Sequence, residues 1–298
     1  MIGTLLRNTL HLVSAADHPA YAAVVAASGA DDWRRTSAPA GPEVEDLRAR
    51  LLDHARENPR TSEELAAFIE AWVGDHPGAI DPAEVEHQRT YKWRAFLRWS
   101  ALVRAPADGV WGRKAPAALR AAPRDETTPD AALEEVVRRH LRAFGPAGAE
   151  DVAGWLGTRV PPVRETLERL DVEALGDGLY DLPDAPRPDP GTPAPPRLLA
   201  AFDSVVLAYA PGRRERILPD AHRDAVYERA NLRIRPTFLV DGQVAGTWSS
   251  EVKRNQAKVT LHPLERLDRS TRTALAEEAE RVARAVHSEA QSHTAAIE

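Results

Sequence analysis

The chain has 298 residues, of which 43% are hydrophobic and 28% charged, and its formal net charge is −6 with a pI near 6.0. This composition is typical of a soluble protein with two or three compact units. It excludes a generic polyanion binder, so any nucleic-acid surface must be local. Cysteine is absent, which excludes disulfides and cysteine nucleophiles. Neither a signal peptide nor an apolar run of the ~20 residues that span a membrane is present, so we expect a cytoplasmic protein.

Residues 4–13 predict a strand close to the first residue of the chain, and residues 14–27 predict a helix after it. A strand needs a partner, and none precedes this one in the sequence. We therefore expect either a distant partner or a first domain that is mostly missing, with residues 1–40 as its remnant. His11 faces away from its neighbours in such a strand. An ordinary hydrogen-bonded histidine is the favoured interpretation, with a site-lining role as the alternative.

Two helices come next, at residues 44–57 and 65–73, each with apolar side chains at helical spacing. Thr61 and Glu64 have the spacing of a capping box at the start of the second helix. Residues 43–86 contain twelve acids and four arginines, so their net charge is −8. This acidic segment directly precedes a strongly basic one, and the resulting polarity would orient the region on DNA.

Residues 89–124 contain nine basic residues and one acid, so their net charge is +8. Residues 91–102 predict a helix, residues 101–105 a strand, and residues 110–113 a return strand after a tight turn. A helix followed by a basic hairpin is typical of a winged helix-turn-helix, which we assign to residues 41–124. A solvated basic surface is the alternative interpretation. The residues that we predict to contact DNA here are Lys92, Arg94, Arg98, Arg113 and Lys114.

The same order of elements returns about 85 residues later, which predicts a third winged helix over residues 125–185. Its predicted elements are helices at 131–144, 149–156 and 163–170 and a hairpin at 173–182. The last of the three helices is nearly neutral, so we expect this module to be a scaffold. A Pro-rich linker at 184–196 follows it.

Residues 186–298 form a C-terminal β-rich region with a terminal helix at 272–287. Its predicted strands are 198–202, 205–209, 258–263 and a hairpin at 236–248 with Asp241-Gly242 as its turn. Residues 213–258 have ten basic and six acidic residues, net +4. The DNA-binding candidates of this region are Arg213, Arg214, Arg216, Lys253 and Arg254. Asp203 is a predicted turn or cap residue, and Trp248 a core residue or a stacking platform; both are possible site-lining residues.

The predicted fold class is therefore α+β: tandem winged helix-turn-helix modules, the first incomplete, followed by a C-terminal α/β region that contains a β-hairpin. The sequence shows no Gly-rich phosphate loop and no metal-binding motif. We predict no catalytic residue, no metal and no cofactor from the residues themselves.

Four segments resemble the winged-helix DNA-binding proteins of the AlkZ/YcaQ type, which are DNA glycosylases associated with alkylated bases and interstrand crosslinks. The segments are LRNTLHLVSAAD (6–17), FGPAGAEDVAGWLG (144–157), PPRLLAAFDSVVLAYAPGRR (195–214) and PTFLVDGQVAGTW (236–248). The resemblance implies three tandem winged helices around a DNA channel. It also implies that a duplex-probing β-hairpin corresponds to residues 209–216.

The resemblance further implies a catalytic Gln-x-Gln or Gln-x-Asp motif upstream of the segment at 6–17. The glutamines of this chain are Gln88, Gln243, Gln256 and Gln291, and none forms such a motif. We therefore expect a monomer that binds double-stranded DNA and lacks the catalytic segment. The alternatives are an active glycosylase with a miscalled start and a winged-helix transcriptional regulator. For a regulator, residues 272–287 offer the only candidate dimerisation helix.

Overall fold

The computed structural model describes residues 1–36, 42–99, 101–106, 117–123, 126–228, 230 and 233–298. The chain has a mixed α+β fold and forms two compact units. The first unit comprises Met1–His140 with Leu156–Val172, and the second comprises Leu141–Trp155 with Glu173–Glu298.

The first thirteen labelled elements run from the first residues to the end of the predicted third helix of the repeat. They are β1 (Ile2–Thr4), β2 (Leu10–Leu12), α1 (His18–Thr36), α2 (Pro42–Glu57), β3 (Arg60–Thr61), α3 (Ser62–Asp75), α4 (Pro82–Thr90), α5 (Arg94–Trp99), β4 (Leu102–Pro106), β5 (Ala117–Ala121), α6 (Pro129–Phe144), α7 (Ala149–Leu156) and α8 (Val160–Arg169).

The remaining elements are mostly strands, as the sequence predicted for this part of the chain. They are β6 (Glu173–Gly176), β7 (Leu179–Asp181), β8 (Arg197–Leu199), α9 (Ser204–Leu207), α10 (Arg223–Val226), β9 (Tyr227–Glu228), β10 (Arg233–Ile234), β11 (Thr237–Val240), β12 (Gln243–Lys253), β13 (Gln256–Pro263), α11 (Arg269–Val286) and β14 (Ser292–Ile297).

The prediction of one strand over residues 4–13 was wrong, because two short strands form at residues 2–4 and 10–12, whereas the expected distant partner is present. β1 and β2 pair with each other, and Gly3 of β1 also pairs with Val103 of β4. A short 3-10 helix separates them because Leu5 and Leu6 are both buried. Consecutive buried side chains do not fit the alternation of a half-buried strand. Residues 1–12 therefore complete the sheet of the unit that follows them.

The core of the first unit lies between α2, α3 and a five-stranded sheet of order β2-β1-β4-β5-β3. Leu47 and Leu51 of α2 and Leu65 of α3 are fully buried there. The predicted capping box is confirmed, since the Thr61 hydroxyl accepts from the Glu64 N–H and the Glu64 carboxylate accepts from the Thr61 N–H. These local patterns explain why the two helices could be predicted.

Two predictions in the basic stretch need correction. The helix predicted at 91–102 is α5 alone, because Lys92 and Trp93 adopt left-handed backbone with φ of 50° and 57°. The helix α4 before it was not predicted. The strand that pairs with β4 is β5 rather than residues 110–113, which lie outside the described residues.

The predicted repeat is visible as a repeat of elements. α2 and α6 each have 16 residues, and α6 begins 87 residues after α2 (129 − 42). α7 also begins 87 residues after α3 (149 − 62). The short strand β3 pairs antiparallel with β5. Ala147, which is 87 residues after Arg60, forms an isolated antiparallel bridge with Tyr180 of β7.

The second unit contains a five-stranded sheet of order β14-β13-β12-β11-β8. The predicted hairpin at 236–248 is confirmed, with Asp241 and Gly242 both at positive φ in its turn. Three expectations were wrong. Residues 205–209 begin in helix α9 rather than a strand, residues 209–216 contain no strand, and β14 was missed. Asp203 is the N-cap of α9, as predicted, and its carboxylate accepts from the Val205 N–H at 3.0 Å.

The helix α11 packs on this sheet through Leu275, Ala279 and Ala283, which are fully buried. Val286, which was predicted to be buried, is 57% exposed because it lies at the last residue of the helix. The apolar face of α11 is therefore covered by its own sheet. This removes the support for a dimerisation helix at residues 272–287, on which the regulator alternative depended.

Candidate nucleic-acid interface

The α4–α5 corner, defined as residues 91–94, presents a tyrosine and two cations. Tyr91, Lys92 and Arg94 are exposed, whereas Trp93 is buried. The Trp93 N–H donates to the Gln88 carbonyl at 2.8 Å and the Lys92 N–H donates to the Arg89 carbonyl at 3.0 Å. This is the Schellman pattern of a helix end, with Lys92 at the left-handed position that glycine usually occupies. The corner ends α4 and places a lysine at a strained position.

A carboxylate holds the corner from the side of α3. Glu70 accepts from the Arg89 guanidinium at 2.7 Å and from the indole Nε1 of Trp93 at 2.7 Å. The hydrogen bond from Arg89 is the main reason that the pKa of Glu70 is lowered; burial opposes it, and the hydrogen bond from Trp93 lowers the pKa by less than burial raises it. Arg89, the first cation of the basic stretch, is exposed, but its charge is already paired with Glu70 and Glu86.

Two further cations of the basic stretch, Arg104 and Arg120, lie on β4 and β5. Both are exposed, and both line one open groove, to which α2 contributes Arg56 and the carboxylates Asp53 and Glu57. Neither makes an ion pair within the described part of the chain, and the same holds for Lys92 and Arg94. Sequence analysis counted Arg104 and Arg120 in the charge of the stretch but did not predict them as contacts. Arg113 and Lys114 lie outside the described residues, as does the side chain of Arg98.

Arg213, Arg214 and Arg216, the predicted contacts of the second unit, are all bonded within the fold. Arg213 donates to Asp151 at 2.7 Å and lies 3.5 Å from Glu150. Arg214 donates to the Tyr209 carbonyl at 3.1 Å. Arg216 donates to the Pro146 carbonyl at 2.9 Å and lies over the ring of Tyr209 at 4.7 Å. They hold a turn with a 3-10 helix, not the probing β-hairpin that the resemblance implied.

Asp151 is the centre of this arrangement and has no solvent exposure. Besides Arg213, its carboxylate accepts from the N–H groups of Gly148 and Ala210, each at 2.8 Å. A Cβ atom at Gly148 would collide with the Arg213 guanidinium, so the glycine gives the cation its room. Gly148 and Asp151 belong to the resembling segment at 144–157, and Ala210 and Arg213 to the one at 195–214. These two segments thus bind each other.

Lys253 and Arg254 lie at the tip of the β12–β13 hairpin, where Lys253 pairs with Gln256. The two-residue turn is Arg254-Asn255, with φ of 49° and 62°, which matches a type I′ turn. Lys253 forms an ion pair with Glu251 at 2.8 Å. Arg254 is exposed and makes no ion pair among the described residues. Arg254 therefore resembles Lys92 in carrying an exposed cation on left-handed backbone.

The possible site-lining residues belong to different units. His11 belongs to the first unit, and its ring lies 2.9 Å from the Thr9 carbonyl. Burial is the main reason that its pKa is lowered. Asp203 and Trp248 belong to the second unit, where Asp203 caps α9. The Trp248 indole donates to the Leu199 carbonyl at 2.8 Å and packs on the core, so it is not a free stacking platform.

The described residues contain no cluster of three or more His, Asp or Glu side chains that could hold a metal ion. Within the same residues, no helix has both the length and the apolar character needed to cross a membrane. What the arrangement offers chemically is a set of exposed guanidinium and ammonium groups. Such groups bind phosphate.

Three comparisons relate the chain to known proteins. The family model described as "DNA glycosylase AlkZ-like" matches residues 3–285. An interstrand DNA cross-link repair glycosylase of Streptomyces sahachiroi is 33% identical over 173 residues, which are 53% of this chain and 43% of that relative. The chain thus spans less than half the length of this curated relative. The solved structure of Streptomyces sahachiroi DNA glycosylase AlkZ has a TM-score of 0.77 at 23% identity, covering 100% of this chain and 81% of that one.

Proposed function

The chain belongs to the AlkZ-like DNA glycosylase family, as its motifs predicted, and on this premise we propose that it binds double-stranded DNA as a monomer. The observation that carries the proposal is the exposed cation set of the first unit, which has no carboxylate partner among the described residues. The members of this set are Lys92, Arg94, Arg104 and Arg120. Cations that are already neutralised within a protein gain little from a phosphate, whereas these four are available to one.

The proposed scaffold is a pair of winged helix-turn-helix modules at residues 41–124 and 125–185. In the first, α2, β3, α3, α4, β4 and β5 follow in the order of a winged helix, and β3 pairs with β5. In the second, α6, Ala147, α7, α8, β6 and β7 follow in the same order, and Ala147 pairs with β7. Apart from the additional helix α5 of the first module, the order matches, and the first two helices are offset by 87 residues; both observations support an internal duplication of one module.

We place the principal contact with the duplex on the cations of the α4–α5 corner, Lys92 and Arg94, and on those of the β4–β5 hairpin. The third helix of the first module is α4, whose exposed residues include Glu86 and His87. A carboxylate repels the phosphates that line a groove, so α4 is poorly suited to enter one. Lys92 and Arg94 follow α4 directly, and Arg104 and Arg120 lie on the hairpin. Contacts from such groups to the backbone carry little sequence preference.

The proposed ligand is a damaged duplex that carries alkylated bases or interstrand crosslinks, and the proposed role is in DNA repair. The name of the Streptomyces sahachiroi relative supports this, since it is a cross-link repair glycosylase. Hydrolysis is not part of the proposal, because no glutamine of the 298 residues belongs to a Gln-x-Gln or Gln-x-Asp motif. Release of an N7-alkylated base, measured as strand breaks at abasic sites, would instead establish the active glycosylase.

The proposal is tested by duplex binding at several salt concentrations. For the wild-type chain we expect the logarithm of affinity to fall linearly with the logarithm of salt concentration, by roughly 0.9 per phosphate contact. Replacing Lys92 and Arg94 together by Gln should weaken binding about tenfold or more and lower this slope by about two contacts.

The matched control replaces Arg281 and Arg284 of α11 by Gln, which changes the net charge equally. Their guanidinium groups lie 2.7 Å from Glu278 and 3.5 Å from Glu280, so they are already neutralised. We expect this control to bind nearly as the wild type does. A flat salt response, or an equal loss of affinity in the control, would contradict the proposal.

A further inference from the structure

Tyr91 is an aromatic side chain that the fold leaves largely uncovered. It is 56% exposed, although its ring meets that of His87 edge to face at 5.0 Å. It is the C-cap of α4, with φ of −103°. Many residue types adopt that backbone angle without strain. The helix end therefore does not require a tyrosine.

We propose that Tyr91 stacks on an unpaired or unstacked nucleotide of the bound DNA. This proposal rests on the proposed function and identifies the feature of the duplex that the α4–α5 corner recognises. Surfaces that bind unstacked bases combine aromatic rings with cations that hold the flanking phosphates. Tyr91 supplies the ring, and Lys92 and Arg94 supply the cations within three residues of it. Stacking makes use of a π face that every base has, so the contact recognises unpairing and not sequence.

The corner is built to hold this ring in one place. Lys92 and Trp93 are consecutive left-handed residues, an arrangement that is unfavourable for side chains larger than glycine. It persists because Trp93 is buried and its indole is tied to Glu70, which also binds Arg89. Strained backbone that the surroundings enforce is a frequent property of ligand-binding segments. A rigid backbone reduces the conformational entropy that is lost when an aromatic side chain binds a ligand.

Other exposed apolar side chains are less suited to stack on a base. Phe202 is 46% exposed and has left-handed backbone with φ of 60°, but the cation nearest to it in the sequence, Arg197, lies five residues away and donates to the Pro196 carbonyl. Leu10 and Leu12 of β2 are exposed and aliphatic, and no described cation of their own hairpin accompanies them apart from Arg7. Tyr91 differs from these groups in the two exposed cations that lie within three residues of it, Lys92 and Arg94.

The test compares a fully paired short duplex with one that carries a single bulged 2-aminopurine, a base whose fluorescence falls when it stacks. The wild-type chain should bind the bulged duplex about tenfold more tightly and quench its fluorescence. Tyr91→Ala should lose both the preference and the quenching while binding the paired duplex within about twofold of wild type. Tyr91→Phe, which keeps the ring and removes the hydroxyl, should retain both.

Phe202→Ala serves as the matched control, because it removes an exposed ring of the second unit and should leave the preference unchanged. Thermal unfolding of each variant confirms that the corner substitution does not unfold the first unit. Binding to both duplexes without preference, or quenching that survives Tyr91→Ala, would overturn the stacking role and leave the duplex binding intact. No binding of either duplex by the wild-type chain would overturn the proposed function itself.

Discussion

The basic residues of the two units differ in what their charges do. At the α4–α5 corner, Lys92 and Arg94 are exposed and make no ion pair among the described residues, and Lys92 occupies strained backbone. In the second unit, Arg213 and Arg214 are bonded to the buried Asp151 and to the Tyr209 carbonyl. The charges of Lys92 and Arg94 are thus available to a ligand, and the left-handed backbone of Lys92 is the conformational cost. The second group uses its charge to hold the chain together.

This difference teaches that charge density in a sequence does not by itself identify a phosphate-binding surface. When a guanidinium moves away from a buried carboxylate, the carboxylate is left as a buried charge without a partner, which is unfavourable. A DNA phosphate would have to replace the interaction with Asp151 before it gained anything from Arg213. The corner cations give up no comparable interaction. We therefore expect mutations in the two groups to separate into effects on stability and effects on binding.

The largest effect should come from Asp151→Ala. This substitution leaves Arg213 without its nearer carboxylate and two backbone N–H groups, of Gly148 and Ala210, without their acceptor. We expect the free energy of unfolding, measured with urea, to fall by about 3–5 kcal/mol. Asp46→Ala, which removes a surface carboxylate paired with Arg50 at 2.7 Å, is the matched control and should cost less than about 1 kcal/mol.

Arg213 itself decides whether the comparison holds. If its role is structural, Arg213→Gln should lower stability strongly while duplex affinity, measured well below the melting temperature, stays near the wild-type value. A loss of affinity as large as that of the Lys92 and Arg94 double variant, with unchanged stability, would move Arg213 into the DNA-binding group and break the distinction between the two sets.

The next largest effect should come from Lys92→Gly, which we expect to raise stability and to weaken DNA binding. Lys92→Gly replaces a left-handed lysine by the residue that favours this backbone, so we expect stability to rise by about 0.5–1 kcal/mol, after the entropy of glycine in the unfolded chain is included. The same change removes one phosphate contact. Duplex affinity should fall severalfold, and the salt dependence should decrease by about one contact. Urea unfolding and salt titration measure the two quantities.

Ala101→Gly is the control for this variant, because Ala101 also has left-handed backbone, with φ of 50°, and carries no charge. It should gain stability without a change in affinity. A Lys92→Gly chain that binds DNA like the wild type would show that the strained lysine is not a contact. A chain that loses stability would show that the Lys92 side chain supports the fold instead.

Local patterns in the sequence predicted much of the fold. The capping box of Thr61 and Glu64 and the apolar spacing of α2 depend on residues close in the chain, and both were recognised correctly. The Asp241-Gly242 turn carries a residue type that its backbone requires. The break between α4 and α5 contains no such residue, because a lysine and a tryptophan occupy the left-handed positions where glycine is usual. The sequence therefore shows no sign of this break, and the predicted helix was started at residue 91, inside it.

The candidate interface was harder to predict because its decisive contacts join distant parts of the chain. The sequence placed Arg213 in a basic cluster, but it could not indicate that Asp151, 62 residues earlier, binds it. The pairing of β1 with β4 likewise joins Gly3 to Val103. Lys92 and Arg94 are exposed, as predicted, although Lys92 lies on left-handed backbone before α5 and not on the predicted helix. Their DNA contact remains a prediction.

The smallest effect should be a pH-dependent one at Glu70, which holds the corner. Its pKa is lowered in the folded chain, first by the hydrogen bond from Arg89, so its charge favours folding above the ordinary pKa of 4.5 and stops doing so as the pH falls through the lowered value. The side chain is 34% exposed, so Glu70→Gln should cost only about 0.5 kcal/mol at pH 7. That difference should vanish in more acidic urea titrations. If it persists there unchanged, the carboxylate holds Trp93 and Arg89 by geometry alone, since the glutamine carbonyl that replaces it can still accept one hydrogen bond.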